Sequence, residues 1–389
     1  PKKEDAYRSF LESHQPFHWF IEFYGIMKSG GFDVIIGNPP YLEKGQVDYE
    51  LKSFVCLASK AVHAMCVERS NVLLGRNGYM SMIVPLSLPS SQRMEVVQEI
   101  LENARSVWYA NYAWRPGKLF DTVNRALTVF TVAPAKTART YATNYQKWYG
   151  EKSNSSREGL FERLAYVEVP RDRPACWVPK LGEPIEQSIL EKCLLPETCV
   201  KHLIGRSDGK IFYRCDGGLY WKVFTDFAPA FNLNGVKGHS SRETSFSVAR
   251  EAFVNPVIAV LSSDVFWWWY TVTSNVRHLN PFDVQNFPVP RNVLTDSELI
   301  ELGAKYLEDI NRNSTMLQRR QKQTGLTETQ SFKIQKSKAV INEIDRVLAE
   351  HYGFTDEELD YIINYDIKYR MGGGNAVNLS GQNAMAPVA

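Results

Sequence analysis

The sequence predicts an α/β fold: part of a doubly wound sheet, followed by a mixed α+β domain and a C-terminal helical segment. Three observations predict it. Strand-like and helix-like apolar patterns alternate through residues 1–135, the order that lays helices on a mostly parallel sheet. The first strand-like run, Phe32–Ile36, is apolar except for Asp33, as in a strand covered on both faces. Beyond residue 295 the apolar spacing becomes helical and capping signals appear. A chain of 389 residues, 44% hydrophobic, has room for two or three domains with a sizeable core.

The elements follow in order. Residues 1–29 are mixed and hold an aromatic cluster of Phe17, Trp19, Phe20, Phe23 and Tyr24. Gly30-Gly31 then leads into the strand 32–36. Helical spacing of Leu51, Val55, Leu57, Ala58, Val62, Met65 and Cys66 predicts a helix over 49–69. Residues 79–85 read as a buried strand, and 90–103 as a helix with Met94, Val97 and Leu101 on one face. Ser106–Tyr112 and Ala126–Val132 read as two strands forming an antiparallel hairpin at the sheet edge. Residues 136–174 are polar, with SNSS at 153–156 and prolines at 170 and 174, and read as a linker or insertion.

Residues 175–290 hold short β-like pieces, turns and many aromatics, and read as a second domain. Its Trp267-Trp268-Trp269 run suits either core packing or stacking on bases. In the helical segment 291–370, Thr295 with Glu298 suggests a capping box, and Leu299, Leu302, Tyr306, Ile310 and Leu317 form one apolar face. A second helix carries Ile334, Ile341, Ile344 and Leu348 and ends near Gly353; Thr355 with Glu358 opens a terminal helix. The tail 371–389 has the composition of a disordered segment.

Composition narrows the function classes. With 45 Lys+Arg against 43 Asp+Glu, the total charge neither announces nor excludes nucleic acid, which needs only a local basic face. Six cysteines without a CxxC pair read as free thiols in a reducing compartment, and Cys193, Cys199 and His202 do not match zinc spacing, so no metal is expected. No signal peptide is visible, and the longest apolar run, Ile258–Val272, is interrupted by Ser262, Ser263 and Asp264. The expectation is a cytoplasmic protein with no membrane partner. Asp366-Ile367-Lys368 is a lone DxK without a nuclease context.

The chemistry concentrates in Asn38-Pro39-Pro40-Tyr41, directly after the first strand. Ligands of open α/β sheets bind at the carboxyl ends of strands. Asn38 offers an amide oxygen, and Pro39 has no N–H and a carbonyl free to accept a second hydrogen bond. Two proline rings stiffen the corner, and Tyr41 adds a flat face. Paired acceptors beside an aromatic plate suit a base with an exocyclic NH2. Accepting both hydrogens draws the nitrogen lone pair out of conjugation and makes it nucleophilic. Such a base must leave the duplex to reach the pocket, at a cost of a few kcal/mol. The competing reading is a rigid turn, since Asn-Pro and Pro-Pro are turn formers.

GGFDVIIGNPPY (30–41) resembles the fourth motif of N6-adenine DNA methyltransferases, and PFHWFIEF (16–23), AVINEIDRVLAEHYGF (339–354) and ELDYIINYDIKYR (358–370) resemble the large bacterial restriction-modification and anti-phage enzymes. The resemblance implies a partial Rossmann-like methyltransferase sheet. It implies that Asn38 and Pro39 grip the target amino group, with Pro40 in the same catalytic corner, and that Tyr41 stacks on adenine. Phe120, in Lys118-Leu119-Phe120-Asp121, matches the place of a residue covering the other face of the base; a plain core role is the alternative. The implied cofactor is S-adenosylmethionine, of which this chain offers only a partial site at Asn38. The glycine-rich strand–loop–helix of the family is missing, for neither Gly30-Gly31 nor Gly372-Gly373-Gly374 has its context, and the chain begins with Pro1. The sequence therefore reads as a C-terminal fragment, inactive alone, working with the missing N-terminal region or restriction-system subunits.

On the same resemblance, residues 1–135 are the C-terminal half of the catalytic domain and 175–290 the target-recognition domain contacting duplex DNA. Candidate DNA contacts are Arg206, Lys210, Lys237, His239, Arg242, Arg277 and His278. Arg319, Arg320, Lys322, Lys333, Lys336 and Lys338 form either a phosphate-contacting edge or a solvated face. The alternative function is a DNA-specificity module with a non-catalytic methylase half, acting with a partner chain.

Overall fold

The computed structural model describes residues 2–14, 17–148, 159–171, 177–216, 220–321 and 325–371. The fold is mixed α/β, divided into two compact units, 1–178 and 179–389.

The first unit opens with helix α1 (Lys2–His14). Its sheet has strands β1 (Phe32–Gly37), β2 (Leu74–Pro85), β3 (Arg105–Tyr112), β4 (Leu127–Pro134), β5 (Thr140–Gln146) and β6 (Val167–Glu168) in the order β1-β2-β4-β3-β5-β6. The β1–β2 and β3–β5 pairs are parallel; β2–β4, β3–β4 and β5–β6 are antiparallel. Helices α2 (Val62–Leu73) and α3 (Glu95–Glu102) follow β1 and β2. Met80, Val84, Val107, Tyr109, Phe130 and Val132 are buried and form much of the core.

Several sequence expectations change here. The β3–β4 hairpin lies in the middle of the sheet, because β2 pairs with the outer side of β4 and β5 with the outer side of β3. Strand β1 is the edge, and Val34 and Ile36 are 56% and 80% exposed, so it is not covered on both faces. The predicted helix 49–69 begins only at Val62: a 3₁₀ turn spans Val55–Ser59, and Lys60 turns the chain with φ +57°. The stretch expected as linker contributes β5 and β6; its SNSS segment lies outside the described residues.

Gly31, with φ +110°, fixes the entry to β1: a Cβ there would meet the Leu73 carbonyl oxygen at 2.7 Å and the Gly75 nitrogen at 2.8 Å. Only a glycine lets the chain cross the start of β2 this closely.

The second unit carries a three-stranded sheet, β7 (Lys210–Arg214), β8 (Phe224–Thr225) and β11 (Glu243–Ser247), in the order β11-β7-β8. A four-stranded sheet follows the order β10-β9-β13-β12, from β9 (Phe231–Leu233), β10 (Val236–Gly238), β12 (Ser314–Gln321) and β13 (Gly325–Phe332). Its helices include α4 (Pro184–Leu194), α5 (Val254–Ser262), α6 (Asp264–Thr273), α7 (Ser297–Arg312), α8 (Lys338–Tyr352), α9 (Asp356–Asn364) and the single turn α10 (Ile367–Arg370). The hairpin β12–β13 interrupts the expected helical pair and takes Leu317 away from the apolar face of α7. The cap of α7 is Asp296, accepting from the Leu299 N–H at 2.9 Å, one residue after the predicted Thr295. Gly353 ends α8 with φ +71°, and Thr355 caps α9 with Glu358 closing the box. The tail 372–389 lies outside the described residues.

The tryptophan run lies on α6, buried, with the Trp268 indole N–H donating to Glu186 at 3.3 Å. It packs the core and is not available to bases. Lys338, expected on a basic edge, is also buried, and pairs with Asp264 at 2.5 Å. No helix among the described residues is long and apolar enough to cross a membrane.

Candidate functional site

The tetrapeptide leaves the carboxyl end of β1, beside the end of β2, where Gly37 aligns with Met82. Pro39 is buried, whereas Asn38 and Pro40 are exposed. The Asn38 amide and the Pro39 carbonyl have no hydrogen-bond partner among the described residues. Tyr41 is half-buried, and its hydroxyl donates to the Ile83 carbonyl at 3.1 Å, which fixes the ring against the end of β2. Burial pushes the Tyr41 phenol up to about 12, and the nearby Arg125 charge opposes this. The phenol therefore stays protonated at neutral pH and keeps its donor role.

The chain after the corner is tied down at several points. The Lys44 N–H donates to the Lys60 carbonyl at 2.7 Å, and the Val62 N–H to the Leu42 carbonyl at 2.9 Å. Glu43 takes a two-pronged ion pair from Arg93 at 2.7 and 2.9 Å. An exposed pair of this kind contributes at most about 1 kcal/mol; with the backbone bonds it fixes the loop against the start of α2.

Behind this loop lies His63, 3% exposed, with neither ring nitrogen hydrogen-bonded. Burial, reinforced by the Arg93 charge, lowers its pKa to about 4 despite Glu43 nearby. A neutral, unpartnered imidazole is thus held under the candidate site. Arg125, half-buried, lies within electrostatic reach of both Tyr41 and His63. Sequence reading singles out neither residue, since a lone His in a helix and an Arg before a strand carry no pattern.

Phe120 lies in the loop joining β3 to β4 and is 37% exposed, so it is not a core residue. The loop is pinned by the Ala113 N–H to the Gln146 carbonyl at 2.9 Å and the Gly117 N–H to the Trp148 carbonyl at 2.7 Å. Among the described residues Phe120 makes no ring contact with Tyr41. A cavity of about 460 Å³ opens beside β1, lined by Trp19, Phe32, Val34, Ile36, Tyr49 and Met65 among others. It is apolar and does not include the Asn38–Tyr41 corner, so its size is no guide to the chemistry there.

The predicted DNA contacts are all exposed but fall into separate groups. Arg206 and Lys210 lie at one end of the β7–β11 ladder, where Lys210 aligns with Ser247. Arg242 lies at the other end, its carbonyl accepting from the Cys215 N–H at 3.1 Å, and Arg277 and His278 arrive there because the Leu279 N–H bonds the Cys215 carbonyl at 2.8 Å. Lys237 sits on β10, with His239 just after it. Three further cations, Arg214, Lys222 and Arg319, line one cavity with Arg242. The first two carry no sequence signal, and Arg319 is legible only as part of a presumed helix connection; Lys322 of the same cluster lies outside the described residues.

Cys193 is buried, the Cys199 N–H donates to His202 Nδ1 at 3.0 Å, and no group of three metal-ligating side chains occurs among the described residues. The residues present do not complete a site for S-adenosylmethionine either. Among the described residues, no glycine-rich turn joins a strand to a helix start beside an acidic side chain; Gly30 and Gly31 precede β1 instead.

Comparison with known proteins bears on the first unit. Residues 2–113 match the Eco57I restriction-modification methylase family. Over 84 residues the chain is 36% identical to a curated protein of Methanocaldococcus jannaschii named as a type II restriction enzyme and methyltransferase, covering 21% of this chain and 7% of that protein. Among solved structures, the chain resembles the type IIL restriction-modification enzyme MmeI in complex with DNA, with 11% identity, TM-score 0.44 and coverage of 87% of this chain and 57% of that one. It also resembles a nuclease-deletion mutant of the type ISP enzyme LlaGI, with 10% identity, TM-score 0.40 and coverage of 74% and 42%. Likenesses this distant carry no weight for function.

Proposed function

We propose that this chain is the target-handling portion of a site-specific DNA methyltransferase that modifies adenine N6 in duplex DNA by base flipping, in restriction-modification or anti-phage defence. The observation supporting the reading is the corner itself: two unpartnered acceptors, Asn38 and the Pro39 carbonyl, on a loop tied down on both sides. The match of residues 2–113 to a restriction-modification methylase family supports it independently.

In this reading the extruded adenine presents its amino group to Asn38 and Pro39 and lies against Tyr41, with Phe120 closing the opposite face. Both amino hydrogens are accepted, so the nitrogen lone pair is freed from the ring. Alignment within a rigid frame supplies much of the remaining rate enhancement, worth several kcal/mol in favourable cases. The methyl comes from S-adenosylmethionine, for which this chain offers only the Asn38 side of a site. Residues 175–290 recognise the target through Arg206, Lys237, His239, Arg242, Arg277 and His278, most of them holding phosphates. The remainder of the cofactor site belongs to polypeptide outside this sequence.

The test uses enzyme reconstituted with that remainder. Asn38→Ala leaves duplex affinity unchanged and lowers the rate of N6-methyladenine formation at least ~100-fold, the scale of losing a transition-state hydrogen-bonding group. Wild-type turnover in this variant would overturn the reading. Alone, the chain binds S-adenosylmethionine with Kd weaker than about 10 µM by calorimetry.

A further inference from the structure

Within the second unit, a cavity of about 290 Å³ separates the β7–β8–β11 sheet from the β12–β13 hairpin. Its lining carries four basic residues, Arg214, Lys222, Arg242 and Arg319, against one acidic residue, Asp216. The hairpin wall follows from strand period: Leu317 and Arg319 share a face of β12, and Leu317 aligns with Thr329 of β13, so Arg319 projects beside a row of hydroxyls formed with Ser331. The opposite wall holds Arg242, which pairs with Asp216 at 2.9 Å, and Arg214, whose Nε is buried without a hydrogen-bond partner. Lys222 lies over the Tyr270 ring at 4.7 Å. Its burial lowers its pKa to about 8, with Asp283 and Asp216 opposing, so it is still mostly protonated at neutral pH.

Arg242 is paired with Asp216 and Lys222 lies within reach of Asp283, whereas Arg319 has no ion pair among the described residues and the buried Arg214 Nε is a donor left unused. Guanidinium groups converging with serine and threonine hydroxyls match a phosphate oxyanion. We propose that this cleft binds a backbone phosphate of duplex DNA, making the β12–β13 hairpin part of the DNA interface. This rests on the reading that the chain acts on DNA, and extends the interface beyond residues 175–290. A strand backbone is favoured over a free anion because Arg242 and Arg319, on facing walls, are both exposed and leave the cleft open at the surface.

The whole chain is titrated into a fluorescent duplex at several salt concentrations. Arg319→Ala lowers affinity about 10-fold and reduces the slope of log Kobs against log salt by about 1, as expected for one lost phosphate contact. Arg319→Lys restores the slope, and circular dichroism reports an unchanged fold for this exposed position. A wild-type slope in Arg319→Ala and in Arg214→Gln overturns the proposal. So does tight binding of inorganic phosphate that competes with no duplex, which would make the cleft a free-anion site. If the slope is unaffected while the reconstituted enzyme still methylates adenine, the cleft fails and the methyltransferase reading stands. If the enzyme makes no N6-methyladenine while Arg319→Ala still lowers duplex affinity, the reverse holds.

Discussion

His63 makes the environment of the candidate site measurable without a substrate. Its ring is buried with neither nitrogen partnered, and its pKa falls from 6.5 to about 4. Above pH 6.5 the ring is neutral in both folded and unfolded chains and contributes no pH dependence. As pH falls from there, the unfolded chain takes up a proton that the folded one refuses, so stability declines. The decline ends near pH 4, where the folded ring also charges. A tenfold difference in proton affinity between the two states corresponds to about 1.4 kcal/mol, so the full loss approaches about 3 kcal/mol, with about 2 kcal/mol of it gone by pH 5. Because the chain has two compact units, a single unfolding free energy is ill-defined, and hydrogen exchange of a peptide spanning α2 reads the local value. His63→Leu removes the titrating group and two unpaired polar atoms. The variant is expected to be more stable by about 1 kcal/mol at neutral pH and to lose less protection on acidification than wild type. Parallel pH profiles for the two proteins would refute the buried neutral imidazole.

Two further expectations concern the frame. Arg370 lies beside Asp264 at 2.6 Å, not aligned as a hydrogen bond, and over the Trp221 ring at 3.8 Å, in a buried cluster with Lys338 and Asp345. Arg370→Ala removes one of the two cations that hold Asp264, leaving Lys338, and should cost about 3 kcal/mol, read as a lowered thermal transition of the second unit. Gly31→Ala places a Cβ against the Leu73 carbonyl at a positive φ and should cost at least about 2 kcal/mol, seen as faster exchange at the start of β1 and β2.

The parts of the fold legible in sequence are those where one element dominates its own pattern. Strands β1 to β4 are dense in Val, Ile, Leu, Phe and Tyr, and α8 combines helical spacing with Gly353 as its stop. The segment 49–69 misleads because its apolar spacing runs through a turn: Lys60 takes a left-handed conformation that no periodicity announces. Strand β5, TYATNYQ, looks polar, yet Thr140, Ala142, Thr143 and Tyr145 are buried against β3 and its neighbours. The β12–β13 hairpin is hidden because Leu317 falls at helical spacing from Ile310 by coincidence. The cap of α7 is displaced by one residue because Thr295 and Asp296 are both good caps, and geometry chooses Asp296. For the site, the corner is legible because Asn-Pro-Pro-Tyr is contiguous. The cleft cations are not, since Arg214, Lys222, Arg242 and Arg319 meet only through sheet packing.

The edge position of β1 sharpens the choice between a rigid turn and a working site. A turn needs only its prolines; it gains nothing from fixing the residues around them. Here Pro39 is buried, Tyr41 is fastened to β2, and the loop after Leu42 is fastened to the start of α2, while Asn38 is left in solvent without a partner. What is held is backbone: the Pro39 carbonyl sits on a buried residue, while the exposed Asn38 side chain has no hydrogen bond among the described residues. In the proposed reading that carbonyl is an acceptor fixed before its ligand arrives, so it loses little entropy on binding and holds its geometry through the reaction. In that reading the rigid Pro39 carbonyl serves a donor that the turn alone does not need.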